Sequence, residues 1–78
     1  MSDIHAAYLA DLGHLIREAG EAAKEDAASA ADEDRVFQQG RQMAYYEVLS
    51  LMQQQAIAFD LPFSEVSLQG FDADRDVL

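Results

Sequence analysis

From Glu33 to Phe59 the chain carries no proline and a single glycine, and its apolar residues recur at every third or fourth position. That spacing is the period of an α-helix. At about 100° per residue, Phe37, Ala44, Tyr45, Val48, Leu49, Leu51, Met52, Ala56 and Phe59 share one face roughly 160° wide. A single partner helix covers less than that. A second strip of Met43, Tyr46 and Ile57 lies on the other side, among Ser50, Gln53 and Gln54. Pro62 stops the element after Leu61, because proline lacks the N–H a helix needs and disfavours helix at the residue before it. The reading is a helix over about 33–59.

A second helical period precedes it. Ser2 is the candidate N-cap, with Asp3 in the first turn where a carboxylate suits the helix dipole. Leu9, Leu12, Ile16, Ala19 and Ala23 then form a stripe that Tyr8, Leu15 and Ala22 widen, opposite Asp11, Glu18, Glu21 and Glu25. This helix spans about 3–27, and its stripe shrinks from Leu and Ile to Ala and Gly20 along its length. No bulky apolar residue lies between Ile16 and Val36. An unbroken helix would have to carry its stripe across that acidic interval. A turn near residue 30, with Ser29 or Asp32 as the next N-cap, is the favoured alternative.

The expected fold is therefore all-α, an antiparallel two-helix hairpin over 1–61 followed by a short helical turn and an acidic tail over 62–78. A fold at residue 30 sets residue i beside roughly residue 60 − i. Leu12 then meets Val48, Ile16 meets Ala44 and Ala23 meets Phe37, so large side chains face small ones at the turn end. In the tail, Phe63, Val66, Leu68 and Phe71 are expected to cap the open end of the hairpin. Asp72–Asp76 is expected to be exposed, with Ala73, Asp74 and Arg75 tolerant of substitution.

Size decides whether such a hairpin stands alone. With 78 residues and no cysteine, neither a large core nor disulfides are at hand. The broad second-helix face points instead to a second copy completing a four-helix bundle. Leu12, Ile16, Phe37, Arg41, Tyr45, Val48, Leu49, Met52 and Phe59 are the candidate core and interface residues. Met43, Tyr46 and Ile57 are a candidate second contact strip. Leu12→Ala or Val48→Ala is expected to unfold the chain or split the dimer.

Charge narrows the partners. The net charge is −10: residues 1–35 carry −6, residues 36–59 carry 0 and residues 60–78 carry −4. That balance disfavours nucleic acid and anionic membrane, both of which call for basic patches. No apolar run reaches the roughly 18 residues of a membrane span, and no signal segment is evident at the start, so a cytoplasmic location is expected.

Candidate sites for chemistry are few. Asp11, His14 and Glu18 share one helix face at ligand-like spacing, but a charged outer face generates such triplets readily. Asp72, Asp74 and Asp76 copy the first ligand positions of a calcium loop without its glycine or closing glutamate. Without cysteine or a glycine-rich phosphate loop, no nucleophile and base come together, and neither catalysis nor a cofactor is expected. Arg41, within the apolar face, needs an acid such as Glu18 or Glu21, one from a second subunit, or a route to water. The expected role is a non-catalytic homodimeric interaction or regulatory module. The rival is an acidic inhibitor that mimics nucleic acid in the groove of a basic DNA-binding protein or toxin.

Overall fold

The computed structural model describes residues 3–78. It is a helical hairpin of α1, Ile4–Ser29, and α2, Arg35–Ala58, joined through a 3₁₀ turn at Asp32–Asp34. A second 3₁₀ turn at Phe63–Val66 and a one-turn helix, α3, Ala73–Asp76, follow. The expected cap Ser2 lies outside the described residues. Asp3 caps α1, its carboxylate accepting the His5 N–H at 2.9 Å.

Alanine propensity carries α1 two residues past its expected end. Ala30 and Ala31 are both extended, with ψ of 140° and 158°, and the acidic trio opens the next helix. The hairpin thus folds about residues 32–33 rather than 30, and every facing pair shifts with it. Gly20 lies beside Leu49 and Tyr45, and Asp26 beside Arg41, so residue i stands by roughly residue 66 − i. The expected pair of Ala23 and Phe37 does not form: Ala23 is fully buried while Phe37 is 70% exposed. Leu12 and Val48 still line one apolar recess, though no longer at the same level.

Helix α2 ends in a paired-carbonyl cap. Leu61 N–H donates to the Ala56 carbonyl at 2.8 Å and Asp60 N–H to that of Ile57 at 3.1 Å. Asp60 takes the left-handed conformation, φ 55°, that this motif requires. Pro62 then turns the chain back on itself.

The tail corrects the sequence reading most. It does not stop at the open end of the hairpin but runs back along the groove between α1 and α2. Its apolar residues supply most of the core: Val66, Leu68, Phe71, Ala73 and Val77 are buried with Leu49. Ile16, Tyr45, Tyr46, Met52 and Phe63 pack around them. Ala73, expected to be exposed, is therefore a core residue. The two helices leave a valley on this side, and Val66, Leu68, Phe71, Ala73 and Val77, spaced two to four apart, are buried in it, while Leu78 stays half exposed.

Extended backbone in a groove must find hydrogen-bond partners. Long side chains from both helices provide them. Arg17 donates to the Ser67 and Gln69 carbonyls, Lys24 to that of Arg75, Gln42 to that of Val77 and Gln53 to that of Phe71. Ser67 returns one bond, its hydroxyl donating to the Ala10 carbonyl at 2.7 Å. Close approach is secured by Gly13, where a Cβ would overlap the Val66 carbonyl.

Candidate interaction face

The tail closes one side of the hairpin and leaves the other bare. Tyr8, Leu12, Leu15 and Ala19 on α1, with Phe37, Ala44, Val48 and Leu51 on α2, fall nearly half a turn from Arg17, Lys24, Gln42 and Gln53, which hold the tail. All are exposed or half-buried. At the open end this face deepens into a cavity of about 300 Å³ between the helices, lined by Leu9, Leu12, Ile16, Val48, Met52, Ala56, Phe59, Leu61 and Val66. Among the described residues, Gln55 is the single polar one on its wall.

The candidate residues divide into three groups. Leu49 is fully buried against the tail, so it belongs to the core of the single chain. Ile16, Tyr45 and Met52 are half-buried between the helices and bridge core and face. Leu12, Phe37, Val48 and Phe59 remain exposed on the bare side, Phe59 by 72%.

Arg41 lies at the turn end of this face, but its partner is Asp26 rather than Glu18 or Glu21, at 2.9 Å. The register shift moves Asp26 to its level and carries the two glutamates away. The guanidinium also lies over the Tyr45 ring, 5.6 Å from its centroid. With both partners a third or more exposed, the pair is a surface ion pair worth little to stability.

The second strip is split by the tail. Tyr46 donates from its hydroxyl to Asp74 at 2.7 Å, and that bond, with the adjacent negative charge, raises the phenol above its ordinary range. Met43 and Ile57 stay exposed. A shallower polar recess of about 310 Å³ lies here, and its principal polar groups, Tyr46 and Asp74, already satisfy each other.

The acidic clusters are occupied with local structure. Asp72 caps α3 by accepting the Asp74 and Arg75 N–H groups, and Asp76 accepts from Asp72 N–H and from the Arg75 guanidinium. Those donors hold the Asp76 carboxyl well below the usual carboxylate range. The three aspartates of the tail thus point to three different tasks. His14 and Glu18 approach to 3.5 Å on the exposed outer side of α1. Among the described residues no group of three or more potential ligands is arranged to hold a metal ion. Nor is any described helix long and apolar enough to cross a membrane.

Sequence reasoning missed the groove side altogether. Arg17 and Lys24 are seven residues apart on α1, and Gln42 and Gln53 eleven apart on α2, spacings that put each pair on one helix face. Long hydrogen-bonding side chains aligned beside an apolar valley are the signal that a non-helical strand lies there. Comparison with known proteins found no matching family model, no matching curated protein and no matching solved structure.

Proposed function

We propose that the protein is a non-catalytic interaction module that works as a homodimer, two hairpins packing their bare faces together into a four-helix bundle. The observation that carries this reading is the contrast between the two sides of the hairpin: one sealed by the tail, the other apolar and open. Helix α2, with 24 residues, gives the face a length of about 36 Å, and the molecule is 21 Å across. The footprint of that side is therefore on the order of 700 Å², close to the roughly 800 Å² each partner contributes to a stable interface.

Charge agrees with that occupant. On a chain of net charge −10, the charged pair on this face, Arg41 and Asp26, neutralise each other. A strongly charged partner finds nothing to pair with there, whereas a second neutral face does. The nucleic-acid-mimic reading needs free carboxylates in a phosphate-like array. Five of the fifteen acidic side chains, Asp26, Asp32, Asp72, Asp74 and Asp76, are engaged by arginines, backbone N–H groups or Tyr46, which thins any such array. A cytoplasmic location belongs to the same proposal, since a cysteine-free acidic chain suits a reducing aqueous compartment.

Light scattering at tens of micromolar protein should give about twice the 8.6 kDa chain mass. A monomer that stays helical and melts cooperatively would overturn the proposal.

A further inference from the structure

We infer that the two copies pack head to tail, each placing Phe37 into the apolar cavity at the open end of the other. This inference rests on the homodimer reading and adds its geometry.

The cavity and Phe37 lie on the same bare side at opposite ends. Phe37 is 70% exposed near the turn and falls on the same stripe of α2 as Val48 and Gln55. The cavity centres near Met52 and Gln55 on α2. Its volume of about 300 Å³ is ample for a ring, since an apolar cavity of roughly 150 Å³ already takes benzene. A two-fold axis lying in the interface, perpendicular to the helices, exchanges the two ends. It passes midway between Phe37 and the cavity, beside Ala44 on α2 and Ala19 and Ala22 on α1.

Those three small residues are what a two-fold crossing wants. They let the helices of the two copies approach, while the large side chains at either end interdigitate with unlike surfaces. The other two-fold arrangement, with the axis along the helices, sets turn end against turn end. It would face one cavity with another and leave Phe37 over the Asp26 region, filling neither. Head-to-tail packing also separates the two acidic turns, Asp32–Asp34 of each copy, by the length of the bundle.

The chain has no cysteine, so a single engineered thiol reports cleanly. Ala31→Cys, in the exposed connection between the helices, would carry a nitroxide label for pulsed electron–electron distance measurement. Head-to-tail packing puts the two labels at opposite ends of the bundle, about 35 Å apart, whereas turn-to-turn packing puts the two connections side by side, within roughly 20 Å. In parallel, Phe37→Ala should weaken dimerisation by roughly 100-fold. Phe37→Asp should give a monomer of unchanged helicity by circular dichroism, because Phe37 has no part in the core of the single chain. A dimer with a short label distance, or one indifferent to Phe37→Asp, would overturn the head-to-tail inference while leaving a homodimer in place. A wild-type monomer would overturn both.

Discussion

Gly13 and Gly40 both interrupt helices, and the surroundings of a Cβ at each predict opposite outcomes. At Gly13 the added carbon would run into the Val66 carbonyl, a backbone atom that cannot step aside. Gly13→Ala should push the tail off α1 and cost roughly 1–3 kcal/mol, as overpacking does. At Gly40 nothing lies within 4 Å, so Gly40→Ala should add close to 1 kcal/mol through helix propensity. Urea denaturation of the two variants beside the parent measures both, and a destabilised Gly40→Ala would mean that the site is contacted. The exposed large residues divide by the same logic. Leu49→Ala should cost roughly 2–5 kcal/mol of folding stability, because Leu49 is fully buried within one chain. Leu12→Ala should cost the fold less and act chiefly on association, since Leu12 is 38% exposed. Folding and dimerisation measured separately, by denaturation and by sedimentation, distinguish the two losses.

Elements differ in how far the sequence disclosed them. Both long helices were legible, because a stripe of apolar residues at helical period has one economical structure. Their register was not, since a run of alanines around the turn gives no local mark of where α1 stops. A shift of the turn by three residues moves each facing pair by about six, which is why Asp26 replaced Glu18 and Glu21 beside Arg41. The bare face was legible in part: its width announced a surplus beyond one partner helix. What shares that surplus was not, because the tail's apolar residues alternate irregularly with four acidic side chains and match no helix or strand period. The tail's placement makes it part of the fold. Phe71→Ala should destabilise the chain by roughly 3–5 kcal/mol, as loss of a buried aromatic does. A tail variant with parent stability would contradict this packing. The α3 turn also sets an acid limit. Arg75 and the Asp72 N–H lower the Asp76 carboxyl in the folded chain, so Asp76 favours folding above pH about 4 and loses that contribution as pH falls below it. Tyr46 works at the other extreme: its phenol is raised on folding, so its contribution is intact below pH about 10 and lost on further rise. Melting temperature against pH for the parent, Asp76→Asn and Tyr46→Phe should show each variant flattened at one end of the profile and unaltered at the other.

At the scale of the whole molecule, the acidic charge and the apolar face pull association in opposite directions. Two copies each of net charge −10 repel, yet in the proposed dimer the surfaces that meet have Arg41 and Asp26 paired inside each chain. Attraction is then short-ranged and nearly independent of salt, while repulsion is long-ranged and screened. The Debye length falls from about 30 Å at 10 mM to about 10 Å at 0.1 M, which is short against a molecule whose longest dimension is 50 Å. Repulsion across the dimer should therefore fade over that range while the buried apolar contact persists. The dimerisation constant, measured by sedimentation equilibrium from 10 mM to 0.3 M sodium chloride, should tighten several-fold and then level off. The melting temperature should rise in parallel, and should also rise with protein concentration because dimer formation is coupled to folding. An interface held by ion pairs between the copies would behave in the opposite way, loosening steadily with salt. Weakening across this series would therefore remove the neutral apolar face as the seat of association.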